Sequence, residues 1–280
     1  MTPAKTVLDF ARLARQKADA LDDNPLGFWI ASIMAGAYVG MGILLIFSVG
    51  QGVDPSIRNL VMGASFGIAL TLVVFAGSEL FTGHTMYMTM GRLVRTVSTS
   101  ELWRCWVGSW LGNLAGSLFL AVLFVAGGGG VVLQAGGDDL LHAVAQKKIE
   151  APALELVTRA MLCNWLVCLA LWTSARTTSD TAKCILIFWC LYAFIAAGFE
   201  HSVANMTVFG VALLSEGPET LTVLGAVRNL AWVTIGNCLS GAVIMAGGYW
   251  LVADRPITDP AREDGVTDVD TDEELRSEAD

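Results

Sequence analysis

Residues 184–214 read CILIFWCLYAFIAAGFEHSVANMTVFGVALL. As one straight helix this stretch of 31 residues would be roughly 46 Å long, well beyond the ~30 Å hydrocarbon core of a bilayer. It is apolar at both ends and holds Glu200-His201-Ser202, then Asn205, in its middle. Titratable groups at membrane depth are costly and face a bundle interior or a wet cavity. Irregular backbone is tolerated there only where protein or water surrounds it. The stretch therefore reads as a membrane helix broken at Gly198–Ser202, beside a path that water can reach.

A companion lies upstream. Residues 66–90 read FGIALTLVVFAGSELFTGHTMYMTM, with a polar run from Ser78 through Glu79, Thr82, Gly83, His84 and Thr85. Ala76-Gly77-Ser78-Glu79 matches Ala197-Gly198-Phe199-Glu200 at an offset of 121, and Gly112-Asn113 matches Gly236-Asn237 at an offset of 124. Six apolar stretches are long enough to cross a membrane, at about 28–49, 60–90, 103–126, 154–175, 184–214 and 226–252. The two matches fall in the same order in stretches two and three and in stretches five and six. The sequence thus predicts an all-α membrane protein of six transmembrane helices, an inverted 3+3 repeat whose second and fifth helices break at Gly77–Thr85 and Gly198–Ser202. Inverted repeats with matched broken helices point to a transport site at their interface.

Charge supports the same organisation. Only 15% of the chain is charged and 54% is hydrophobic, against about a quarter charged in soluble domains. The net charge of −9 is concentrated at the end: residues 254–280 hold eleven acids and three bases, a net of −8. That segment reads as a disordered acidic tail, and nothing in the charge pattern invites nucleic acid. With the N-terminus inside, twelve Lys and Arg fall on the cytoplasmic side and four outside (Arg58, Lys147, Lys148 and Arg228). The positive-inside rule then puts both termini in the cytoplasm. Residues 1–25 form an N-terminal segment in which Val7, Phe10, Ala14 and Leu21 make one apolar side, as in a helix lying in the headgroup plane. Residues 26–253 form the membrane domain. Ser32, Gly36 and Gly40 in the first span, and Gly108, Gly112 and Gly116 in the third, are spaced for close helix contact in lipid. The six cysteines include no CxxC pair and read as small buried hydrophobes.

The chemistry centres on His201. Neutral imidazole can donate a hydrogen bond to an anion, and it can exchange a proton near neutral pH. The alternative is a core histidine satisfied by a glutamate or a carbonyl. On a continuous helix its face would include Phe194, Gly198 and Asn205. A helix restarting after each break presents N–H groups and a positive dipole end, which would draw an anion without a full fixed charge. Glu79 and Glu200 would repel an anion, so they are read as accepting backbone N–H groups around the breaks. No HxxxH or ExxH spacing supports a metal site.

GSELFTGH (Gly77–His84) and GFEHSVANM (Gly198–Met206) resemble the formate/nitrite transporter family, nearest to its bacterial nitrite channels. Gly83-His84 departs from the formate-channel form of the first motif. The resemblance implies an aquaporin-like protomer in the bacterial inner membrane, a homopentamer with one path per protomer, and no cofactor. It places the central pore histidine at His201, the loop threonine at Thr82, and the apolar constriction at Phe66, Leu70, Leu80 and Phe194. It puts an outer-mouth lysine at Lys148 and a buried asparagine partner of the histidine at Asn164. The expected function is movement of nitrite or a similar small monovalent anion, with formate or hydrosulfide as alternatives. A water or glycerol pore would carry paired Asn-Pro-Ala turns, whereas the sequence has one Asn-Pro, at Asn24-Pro25. A membrane-embedded acid–base enzyme using Glu200 and His201 would need a third orienting group, and a scaffold would need no mid-membrane titratable groups.

Overall fold

The computed structural model describes residues 2–135 and 138–257. The acidic tail beyond residue 257 lies outside the described residues. The regular structure of those residues is entirely helical, with no strand among them. In chain order they form α1 (Pro3–Asp23), α2 (Pro25–Gln51), α3 (Pro55–Ser65), α4 (Gly67–Phe75), α5 (Phe81–Val94) and α6 (Thr99–Ala126). After a 3₁₀ turn at Gly130–Leu133 come α7 (Leu140–Glu150), α8 (Ala153–Ser174), α9 (Asp180–Ala196), α10 (Ser202–Leu214) and α11 (Val223–Leu239). A π-helical segment, Ser240–Gly247, joins α11 to α12 (Gly248–Val252).

Local sequence sets the ends. Asn24 and Asp54 cap α2 and α3 by accepting from Gly27 and Ser56 N–H, and each is followed by proline at the first helical position. Proline has no N–H to leave unpaired there. Ser98 and Glu101 form a reciprocal capping box at α6, satisfying two of the donors a helix start leaves open.

Five helical units are long and apolar enough to cross a membrane: α2, α3–α4, α6, α8 and α11–α12. The fifth apolar stretch is divided between α9 and α10, of 17 and 13 residues. The second is divided between α3–α4 and α5. The breaks are narrower than the sequence suggests. Helix resumes at Phe81 and at Ser202, so Thr82 through Thr85 belong to the first turn of α5 and not to a loop. The reason is that each break is made by one glycine in the left-handed region, Gly77 (φ 68°) and Gly198 (φ 72°). A side chain would strain that conformation.

The small-residue spacings become contact between α2 and α6. A Cβ on Gly116 would stand 1.8 Å from the Ile33 carbonyl oxygen, and one on Gly36 would stand 2.1 Å from that of Asn113. The backbones of these helices therefore touch, as small residues permit in lipid. The apolar side of α1 does not face a headgroup layer. Val7, Phe10, Ala14 and Leu21 are buried, and Phe10 stacks between Tyr87 of α5 and Trp172 of α8, at 5.3 and 5.8 Å. The amphipathic pattern is satisfied by the bundle itself.

Candidate functional site

The two breaks are built by the same bonds. At the first, Gly77 and Ser78 N–H donate back to Val74 and Val73 carbonyls, and Glu79 N–H donates to Ala31 O. At the second, Gly198 and Phe199 N–H donate to Ile195 and Phe194 carbonyls, and Glu200 N–H donates to Arg159 O. An asparagine holds each segment from a neighbouring helix. Asn113 of α6 accepts from Phe81 N–H (2.9 Å) and donates to the Ser32 and Glu79 carbonyls. Asn237 of α11 accepts from Ser202 N–H (3.0 Å) and donates to the Ala160 and Glu200 carbonyls. Backbone groups bared by a helix break inside protein must find such partners. Some helix-start N–H groups expected to face an anion are thus occupied by side chains, and the dipole ends remain.

The carboxylates do something other than accept backbone N–H groups. Glu79 receives Lys17 Nζ of α1 at 2.6 Å and His84 Nε2 at 2.8 Å. Glu200 receives Lys148 Nζ at 2.8 and 2.9 Å and Asn205 Nδ2 at 2.6 Å. Asn113 and Asn237 had already satisfied the backbone, which left the carboxylates to neutralise lysines. Each glutamate with its lysine lines a cavity. One, of about 270 Å³ and on the α1 side, is bordered by Lys17, Glu79, His84, Leu70 and Leu80. The other, of about 230 Å³ and on the α7 side, is bordered by Lys148, Glu200, Phe194 and His201.

A neck separates the two vestibules. Phe66, Leu70, Leu80, Phe194 and His201 surround a space of about 10 Å³, room for about one water molecule. Leu70 and Leu80 border both the neck and the α1-side vestibule, while Phe194 and His201 border both the neck and the α7-side vestibule. Phe66 meets Phe194 edge-on at 5.4 Å. The four apolar residues expected at the constriction are buried and gathered in one place.

His201 is not on a helical face. It is the N-cap of α10, in extended conformation, and its Nδ1 accepts from Ala204 N–H at 3.1 Å. A backbone N–H is always a donor, so Nδ1 offers a lone pair and the ring hydrogen sits on Nε2. Nε2 lies 3.1 Å from Thr82 Oγ1, and the ring stacks on Phe194 at 6.0 Å. The imidazole, which borders the neck, thus donates its Nε2–H to the Thr82 hydroxyl and leaves that hydroxyl its own hydrogen to donate. A second proton, on Nδ1, would confront the Ala204 N–H and break the cap.

Asn164 is placed differently from expectation. Its Nδ2 donates to Asn237 O, Thr85 Oγ1 and, at 3.4 Å, the Thr82 carbonyl, whereas the His201 ring nitrogens go to Thr82 Oγ1 and Ala204 N–H. Asn164 braces the helix that carries Thr82. Lys148 borders the vestibule paired with Glu200 and is mostly buried. Lys17, Asn113 and Asn237 were not singled out by sequence as parts of the site. Repetition of Gly-Asn at two positions was a signal for the asparagines. For Lys17, on a polar face of α1, only the docking of that helix supplies one.

Comparison with known proteins completes the picture. Residues 4–251 match the family model described as formate/nitrite transporter. The chain is 52% identical over 258 residues to a protein of Escherichia coli (strain K12) named nitrite transporter NirC, covering 91% of this chain and 94% of that one. A solved structure titled FNT family ion channel superposes with a TM-score of 0.86 at 52% identity, covering 89% of this chain and 98% of the other. One titled pentameric formate channel with formate bound superposes with a TM-score of 0.69 at 27% identity, covering 81% and 96%.

Proposed function

The chain belongs to the formate/nitrite transporter family, and on that premise we propose that it is a channel moving nitrite across the bacterial cytoplasmic membrane through each protomer of a homopentamer. The observation that carries this reading is the pair of vestibules meeting at an apolar neck bordered by His201, whose Nε2 is bonded to Thr82 Oγ1. Membership also sets aside the acid–base enzyme.

The six apolar stretches make six transmembrane helices of an aquaporin-like, inverted 3+3 protomer, α3–α4 with α5 and α9 with α10 being its broken second and fifth members. Residues 1–25 with α1 lie on the cytoplasmic side and residues 26–253 form the channel, with both termini cytoplasmic. The acidic tail from Asp254 is a solvated appendage of the same side. A nitrite ion collects in a vestibule where lysine is balanced by glutamate. Because Lys17 and Lys148 are neutralised, the anion is drawn without being trapped; favourable but weak binding is what conduction requires. The ion sheds water at Leu70, Leu80 and Phe194, accepts hydrogen bonds from His201 and Thr82, and leaves by the opposite vestibule. The His201 cap favours donation from a neutral ring over a relay through a charged one.

Fluxes of nitrite, formate, hydrosulfide and water into proteoliposomes, measured side by side, test the reading. Nitrite is expected to pass fastest among the anions; a chain that passes water and no anion overturns the proposal. Native mass is expected to show five copies.

Truncating the neck should relax its selectivity. Phe194→Ala and Leu80→Ala each remove apolar bulk without removing a polar contact. In the same assay each is expected to narrow the preference among the anions by about tenfold, or about 1.4 kcal/mol of barrier difference. Unchanged preference in both variants would place the narrowest point elsewhere.

A further inference from the structure

His84 is a buried imidazole that takes no part in the neck. It lies in the first turn of α5, with Nε2 2.8 Å from Glu79 Oε2. A carboxylate accepts, so the ring hydrogen sits on Nε2. Nδ1 is buried and has no hydrogen-bond partner among the described residues. The ring borders the α1-side vestibule together with Glu79 and Lys17.

The opposite vestibule carries the same arrangement with one exchange. Lys148 and Glu200 match Lys17 and Glu79, but the position 121 residues after His84 is Asn205. Its amide donates to Glu200 Oε2 and to Asn229 Oδ1 at 2.6 and 2.8 Å. Asparagine fills the bonding place of the imidazole and takes up no proton in the physiological range. With His84 neutral, lysine and glutamate cancel within each cluster; the α7-side vestibule is also bordered by Arg58, Lys147 and Arg159, which keep their charge throughout the physiological range. A proton on His84 Nδ1 gives the α1-side cluster a net charge of +1 and leaves the α7-side cluster at zero.

Among the described residues, the two lysines that border the vestibule with His84 are both ion-paired. Lys17 of α1 is bound to Glu79, and Lys183 of α9 borders the vestibule while ion-paired to Asp180. On α5 itself the titratable neighbour is Tyr87, its ring 6.1 Å away. From α2 comes Phe28, edge-on at 5.9 Å. α6 contributes Trp106, whose indole donates to the His84 carbonyl, and the buried Cys105 thiol within electrostatic reach of Glu79. α8 contributes the uncharged Leu171 and Ser174.

We propose that His84 is a proton-binding site of the α1-side vestibule, and that its occupancy draws small monovalent anions into that mouth alone, making conduction respond to pH on one side of the membrane. The inference rests on the anion-channel reading above. A unit charge near the vestibule, screened as at a protein surface, changes local anion occupancy by about three- to tenfold.

Nitrite currents across planar bilayers, with each compartment acidified in turn from about pH 8 to about pH 6, test it. His201 is shared by both sides, so the readout is the difference between compartments. Acidifying the α1-side compartment is expected to raise the current about three- to tenfold more than acidifying the other. His84→Asn should abolish the difference, with His84→Gln serving where the asparagine variant does not assemble. Asn205→His should create a response on the opposite side. Conduction whose sidedness survives removal of His84, or a parent channel that responds equally from both sides, overturns this inference alone. A chain conducting neither nitrite nor formate overturns the anion-channel reading and this inference with it.

Discussion

Replacing His201 with phenylalanine is expected to lower nitrite flux by between about tenfold and a hundredfold while the assembly persists. The ring shape and the stack on Phe194 are kept, and the Nε2–H that meets Thr82 Oγ1 beside the neck is lost. A hydrogen bond to a charged partner is worth about 1.5–3 kcal/mol, and in a neck lined by Phe66, Leu70 and Leu80 the dehydrated ion has few other donors. The variant also loses the cap on Ala204 N–H, at a cost of about 1 kcal/mol to the protein, so fluxes are compared per assembled oligomer.

His201→Asn is the informative partner. Asparagine is a good N-cap, and its amide retains one acceptor for Ala204 and donors for the neck, but it carries no proton at these pH values. Nitrite flux within about tenfold of the parent identifies donation as the role of His201. Anion passage with coupled proton movement abolished identifies a relay instead. Failure of both variants alike, with the oligomer formed, means that the imidazole geometry itself is required. Normal flux in both across a pH series would make the histidine structural and the mechanism wrong.

The second large effect belongs to Asn237, which never meets the ion. Asn237→Leu is nearly isosteric and strips the partners from Ser202 N–H and from the Ala160 and Glu200 carbonyls in one step. Buried groups left unpaired cost about 1–3 kcal/mol each, and side-chain bonds in membrane proteins fall toward the lower end. The expected loss is therefore about 3–5 kcal/mol, read as a lowered thermal unfolding midpoint in detergent. Flux should fall as well, because Asn237 fixes the segment that ends in His201. Asn113→Leu should reproduce the stability loss at the other break. Asn237→Asp keeps an acceptor for Ser202 N–H and sets a carboxylate against two carbonyls, so it should be no better than leucine. An Asn237→Leu channel with the parent midpoint and flux would show that the break holds itself.

The sequence alone determined that this is a multi-pass helical membrane protein with two matched breaks, because hydropathy, glycine and intramembrane polarity are local properties of a chain in lipid. Of the neck residues, Leu80 and His201 lie in the motifs around Gly77 and Gly198, while Phe66, Leu70 and Phe194 were expected only from the family resemblance; the fold brings them together from the α3–α4 junction, α4, the two breaks and α9. The tertiary structure alone decided which polar group meets which. Glu79 and Glu200 were expected to hold backbone, yet Asn113 and Asn237 hold it and the glutamates hold Lys17 and Lys148. Those partners lie 62 and 52 residues away in the chain, so no spacing reveals them. The role of His201 as a helix cap, which fixes its ring hydrogen on Nε2, likewise required knowing that α10 begins one residue later. Buried polar side chains have few donors and acceptors and must all be satisfied at once. Their pairing is therefore a property of the closed bundle, and no single helix determines it.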